Sequence, residues 1–169
     1  MSIQVIVITG AMGAGKTTVM AEASDILAAA GIVHAAIDMD TLGIAHVPDG
    51  AALDLASRNL ASVWRNYAGA GVTRLLLAEA IESADDLERI RRAIPDAQVV
   101  VCRLTASLET MEQRVGVREP GMHHDLLVAR VAELDARLSA ARLEDFTLDN
   151  DAAAVTDTAR AMLVRAGWM

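Results

Sequence analysis

Eight residues, GAMGAGKT from Gly10 to Thr17, constrain this chain more tightly than any other stretch. They fit the pattern G-x-x-x-x-G-K-[ST], follow the apolar run Ile3 to Ile8, and lead into a helical pattern from Lys16 to Ala30. A glycine-rich turn in that context folds into a concave nest, with the backbone N–H groups of Gly10, Ala11, Met12, Gly13, Ala14 and Gly15 aimed at phosphate oxygens. The positive end of the following helix acts on the same spot. Lys16 is the only lysine in the chain; every other member of its 15 basic residues is arginine. A compact ammonium on a flexible stem lies along β- and γ-phosphates inside such a nest, whereas a wider guanidinium prefers in-plane bidentate partners. Thr17 offers a hydroxyl to Mg²⁺, and Thr18, one residue deeper, reaches the phosphate nearer the nucleoside. ATP and Mg²⁺ are therefore the expected ligands.

Around this motif the chain alternates between two kinds of segment. Apolar runs of strand length occur at Ile3 to Ile8, His34 to Ile37, Val72 to Ala78, Gln98 to Leu104 and Phe146 to Leu148. Helical patterns lie between and after them: Lys16 to Ala30 closing at Gly31, Ala51 to Ala68 closing at Gly69, Ala84 to Ile94 stopped by Pro95, Leu108 to Val115, about Asp125 to Ala141, and Ala152 to Ala166 closing at Gly167. Ser83 and the acids after it give the third helix a capping-box start. Strands that alternate with helices pair in parallel through right-handed crossovers, so the expectation is a three-layer α/β domain. At 169 residues the chain fits one domain, residues 1–169, with one irregular segment, about 115–125, reading as a mobile lid.

Composition narrows the function. Apolar residues make up 53% and aromatics only 2%, so the core is aliphatic and its helices pack closely. A net charge of -8 opposes binding to a phosphate backbone, which removes nucleic acid from the expected partners. The first apolar run is too short to span a bilayer and no basic stretch precedes it, so neither membrane nor secretion is expected and the cytoplasm is. Cys102, the single cysteine, lies in the apolar run VVVCRL and reads as a small buried hydrophobe. His123 and His124 are adjacent, so their side chains diverge and share no metal. The single lysine also excludes the guanine-reading N-K-x-D element, and no LSGGQ signature is present.

A second constellation is AIDMDTL, Ala36 to Leu42, at the end of the second strand. Residues two apart on an extended segment point the same way, so Asp38 and Asp40 are expected together at the carboxyl edge of the sheet, where α/β proteins bind ligands. One would hold Mg²⁺ with Thr17, for which Asp38 is the candidate, and the other would accept the proton of an attacking hydroxyl. The spacing leaves the two roles interchangeable.

GAMGAGKTT followed about twenty residues later by IDMD resembles the small-molecule kinases of the nucleoside-monophosphate-kinase superfamily, among them adenylylsulfate, shikimate and gluconate kinases and chloramphenicol phosphotransferase. The resemblance implies a P-loop fold with sheet order 2-3-1-4-5 and transfer of the γ-phosphoryl group of ATP to a hydroxyl of a small molecule. It implies lid arginines over the nucleotide, here Arg114 and Arg118, and a loop against adenine after the last strand, here Asp149 and Asn150. SRNLASVWR, Ser57 to Arg65, partly echoes the helix that contacts substrate in adenylylsulfate kinases, which brings forward Arg58 and Asn59. The third strand ends in LLLAEA rather than in the usual aspartate, leaving Glu79 as a substitute or a surface residue. The acceptor, and the choice between monomer and homodimer, stay open. A nucleotide-binding switch or slow ATPase acting through a partner is the alternative function.

Overall fold

The computed structural model describes residues 2–46, 51–118 and 124–169, with the side chains of 51–54, 118 and 124 excepted. Five strands, β1 (Gln4–Thr9), β2 (Ala35–Asp38), β3 (Arg74–Ala78), β4 (Gln98–Thr105) and β5 (Phe146–Asp149), form one parallel sheet in the order β2-β3-β1-β4-β5. The expected architecture and strand order are both present.

The alternation along β1 explains why the sheet is covered twice. Ile6 and Ile8 face a core shared with α1 (Lys16–Ala29), α5 (Leu108–Arg118), α6 (His124–Ala141) and α7 (Val155–Arg165). Val5 and Val7 face the opposite core, packed by α3 (Ala51–Gly69) and α4 (Ala84–Ala93). Leu76 and Leu75 repeat the division on β3. A strand buried on both sides reads as an unbroken apolar run, which is what the sequence offers at each central strand. Each fully buried aliphatic side chain of this kind contributes about 1.5–3 kcal/mol relative to an exposed one.

Several boundaries differ from those read off the sequence. A single-turn helix, α2 (Met39–Leu42), follows β2 directly, because Asp38 caps it through a hydrogen bond from Asp40 N at 3.1 Å. Helix α3 runs through Gly69, and the left-handed residue lies at Gly71 instead. Along α3, Trp64 is buried while Tyr67, one turn on, is 37% exposed. Helix α5 continues to Arg118 and α6 starts at His124, so part of the segment expected to be a lid is regular helix. Residues 119–123, with His123, lie outside the described residues, as do the side chains of Leu53, Arg118 and His124. Helix α7 opens at Val155 rather than at Ala152. Among the described residues no helix is long and apolar enough to cross a membrane.

Candidate active site

Two hydrogen bonds from backbone amides fix the carboxyl edge of the sheet where the candidate residues meet. Glu79 N donates to Ile8 O at 3.1 Å and Ile81 N donates to the Thr9 hydroxyl at 2.9 Å, so the segment after β3 is stitched to the mouth of the glycine-rich loop. On the other flank, β2 pairs with β3 so that Asp38 lies opposite Ala78.

The loop needs its glycines for space as well as for backbone shape. Gly10 has φ 152° and a Cβ there would stand 2.7 Å from Leu104 O. Gly13, at φ 81°, presses against the Met111 backbone so closely that any Cβ would overlap it. The loop is held from behind by the segment after β5. Asn150 is buried, its Nδ2 donates to Ala14 O at 2.8 Å, and its N–H donates to Thr105 O at 2.7 Å. Arg114 of α5 completes the brace, donating from Nη1 to Gly13 O at 3.2 Å and from Nη2 to Asn150 O at 3.0 Å and Asp151 O at 3.2 Å. Asp149 is exposed and accepts from Asp151 N at 2.9 Å, so the two members of the expected adenine-side pair behave differently. The Asp151 carboxyl is held below its ordinary value, chiefly by a hydrogen bond from Thr110.

Lys16 folds back over the loop, donating to Gly10 O at 2.9 Å and Ala11 O at 3.3 Å. With Gly13, Gly15, Thr17, Asp40 and Arg114 it lines a cavity of about 410 Å³ over the nest, which Thr18 also borders. The Thr17 hydroxyl donates to Asp38 Oδ2 at 2.7 Å. A hydroxyl and a carboxylate this close, beside a phosphate-sized nest, suit Mg²⁺, which takes oxygen donors and keeps several waters. Among the described residues no group of three or more His, Cys, Asp or Glu could enclose an ion.

The period-two argument for Asp38 and Asp40 does not hold. Asp38 ends β2 and caps α2, with one carboxylate oxygen on Asp40 N and the other on Thr17, while Asp40 is already helical. The break separates their surroundings. Asp38 faces Thr17, and Asp40 forms the wall between the nest cavity and a second cavity of about 220 Å³. Glu79, Asp86, Arg89 and Ser57 supply the other polar groups of this second space, and Met39, Leu60 and Ile90 its apolar surface.

Glu79 is the group sequence reasoning left undecided. Burial pushes its carboxyl up to about 7, with help from the nearby charges of Asp40 and Asp86 and partial relief from Lys16. The available signal was its place one residue beyond an apolar strand, where the carboxyl edge of the sheet begins. Arg89 is paired with Asp86 one turn away on α4, an i, i+3 spacing visible in the sequence. Asp86 also accepts from Glu82 N at 2.9 Å, Ser83 N at 2.8 Å and the Ser83 hydroxyl at 3.0 Å, which fixes both the helix start and the cavity wall. Neither Arg58 nor Asn59 lines this cavity. Arg58 is exposed, and Asn59 donates its amide to Leu42 O at 2.9 Å, tying α3 to the end of α2.

No protein-family model and no curated protein sequence matches the chain. Solved structures do. An APS kinase of Mycobacterium tuberculosis, in complex with AMPPNP and APS, superposes with a TM-score of 0.69 at 18% identity over 99% of this chain and 99% of that one. A gluconokinase of Sinorhizobium meliloti 1021 gives 0.62 at 19% identity over 97% and 91%, and a shikimate kinase of Acinetobacter baumannii, in complex with shikimate, gives 0.62 at 19% over 95% and 91%. The chain therefore has the fold of the P-loop kinases that its nucleotide motif resembles.

Proposed function

We propose that this protein is an ATP-dependent phosphotransferase that moves the γ-phosphoryl group of ATP to a hydroxyl of a small molecule, as one domain spanning residues 1–169. The observation that carries the reading is Asp40 as the common wall of two cavities, one over the phosphate nest and one beside it. A switch or a simple ATPase has no use for the second space; a kinase needs it for the acceptor. The APS kinase of the same fold was solved with AMPPNP and APS bound, and the shikimate kinase with shikimate bound.

The residues divide the work. Amides of Gly10 to Gly15 and the ammonium of Lys16, released from its carbonyl partners, cradle the phosphates, and Thr18 borders the same cavity. Thr17 and Asp38 would hold Mg²⁺, which would supply positive charge to offset that of the phosphates. Arg114 keeps the nest in shape and sets its guanidinium on the cavity, with Arg118 one turn further along α5 as a second lid cation. The acceptor oxygen bonds to the γ-phosphorus as the bond to the β–γ bridging oxygen breaks. ADP leaves with that electron pair, and the hydroxyl proton passes to the Asp40–Glu79 pair. Glu79 is the member tuned for it, because an acid near neutrality both empties and fills its proton at working pH.

Calorimetry with MgATP, followed by ADP release with and without a pool of small alcohols, tests the reading. A kinase binds MgATP, loses that binding in Lys16→Ala, and releases ADP faster with the pool. Binding without any acceptor dependence would identify a switch or ATPase instead.

A further inference from the structure

The ladder between β1 and β3 ends irregularly. Its last backbone rung is Glu79 N on Ile8 O at 3.1 Å. Rungs of a parallel pair recur at every second residue, so the next would run from Ile81 N to Gly10 O. That carbonyl turns away with the start of the nest, where Gly10 has φ 152°, and accepts from Lys16 Nζ at 2.9 Å. Ile81 N donates instead to the Thr9 hydroxyl at 2.9 Å. A side-chain oxygen thus stands in for a carbonyl. It lets β1 bend into the nest while the segment after β3 stays attached to it.

The substitution falls beside the group proposed to take the acceptor's proton. Residues 79–81 are fastened at both ends, by Ile8 O at Glu79 and by Thr9 at Ile81. Thr9 and Ile81 are both buried, so water does not compete for their bond. Within the fastened segment the Ala80 N–H donates to the Glu79 carboxyl, and together with Lys16 it opposes the effects of burial, Asp40 and Asp86 on that group. Without the Thr9 oxygen, the buried Ile81 N–H would have to find another partner, and a new partner means a new path for the peptides next to Glu79. Thr9 itself lines neither the nest cavity nor the second one.

We infer that Thr9 is a positioning residue: by holding Ile81 N, its hydroxyl keeps the Glu79 carboxyl aimed into the second cavity. The inference rests on the kinase reading above and adds to it a residue that acts only through another.

The test compares Thr9→Val, which keeps the branched shape and removes the acceptor oxygen, with Thr9→Ser, which keeps the oxygen and removes a methyl. Each is assayed for ADP release from MgATP with a pool of glycerol, ethanolamine and glycerate. Thr9→Val is expected to lower the acceptor-stimulated kcat by about ten- to a hundredfold, with KM for MgATP within about twofold of the native value, and Thr9→Ser to restore kcat to within about threefold. In a Glu79→Gln background, adding Thr9→Val should cost less than about threefold more, because the two residues act as one unit. A kcat unchanged in Thr9→Val, a KM for MgATP that rises with the loss, or losses that multiply in the double variant would overturn the inference and leave the kinase reading standing. Thr9→Ala removes the oxygen with less crowding, and failure of both Thr9→Val and Thr9→Ala to fold would make the hydroxyl a requirement of the fold and overturn the inference as well. No stimulation of the native protein by the pool, with MgATP still binding, removes the kinase reading and this inference with it.

Discussion

The Thr17 hydroxyl donates to Asp38 Oδ2 at 2.7 Å, joining the first turn of α1 to the end of β2 across the mouth of the phosphate nest. The other oxygen of Asp38 caps α2 through Asp40 N, so a single carboxylate serves the helix and the proposed metal position together. Asparagine caps a helix about as well as aspartate but offers a metal no negative charge. Asp38→Asn should therefore keep thermal stability within about 1 kcal/mol of the native protein while lowering Mg²⁺-dependent phosphoryl transfer at least about a hundredfold. Melting curves and ADP-release rates across a Mg²⁺ titration check this. A large loss of stability would mean that the carboxylate's charge is structural.

Asn150 braces the nest through its backbone. Its amide sits on Ala14 O at 2.8 Å and against the position a Gly15 side chain would occupy. Asn150→Ala leaves a buried carbonyl without its partner, which costs about 1–3 kcal/mol, and frees the loop to leave its phosphate-binding shape. Both urea denaturation and the MgADP dissociation constant are expected to worsen. A variant that loses stability but binds MgADP as before would show that the nest holds its shape without this brace.

How far the sequence could be read depended on whether each feature was local. The double-sided burial of β1 is written in consecutive residues, Val5 to Ile8, and the nest in Gly10 to Thr17, so both were legible. The strand order followed only by resemblance, since no local pattern says that β1 lies between β3 and β4. Asp38 and Asp40 were found, but their geometry was misjudged. A capping hydrogen bond ended the strand at Asp38, and alternation ceased to apply one residue too early for the argument. The brace formed by Arg114 and Asn150 joins residues 36 apart in sequence to a loop more than a hundred residues away from Arg114. Nothing in the local pattern announces it. Asn59 lay on the right helix, between the cavity-lining Ser57 and Leu60, but helical rotation aimed its amide at Leu42 O instead of into the cavity.

Cys102 is expected to be inert. It is fully buried in β4, and burial pushes its thiol up to about 12, so almost no thiolate exists at neutral pH. Labelling by a thiol reagent should proceed at the rate of unfolding and accelerate with denaturant, and fast labelling in buffer would contradict the burial of β4.

Glu79 couples stability and activity to pH in opposite senses. Its carboxyl rises from an ordinary 4.5 to about 7, first through burial, then through Asp40 and Asp86, with Lys16 opposing. The unfolded chain gives up this proton at lower pH than the folded one. The group's contribution to stability is thus fully present below about 4.5, is lost as pH rises, and is gone above about 7. Glu79→Gln carries no such titration. Relative to the native protein it should be equally stable near pH 4 and more stable by on the order of 2 kcal/mol near pH 8, a difference that cancels the titrations the two proteins share. Activity runs the other way. A base must be ionised to take the acceptor's proton, so kcat/KM of the native enzyme should climb towards a plateau above about 7. In Glu79→Gln the climb should flatten and the rate fall by about 10²–10⁴-fold with MgATP affinity retained. If Asp40→Asn instead removes the pH dependence and Glu79→Gln keeps it, the proton goes to Asp40, the residue that lines both cavities.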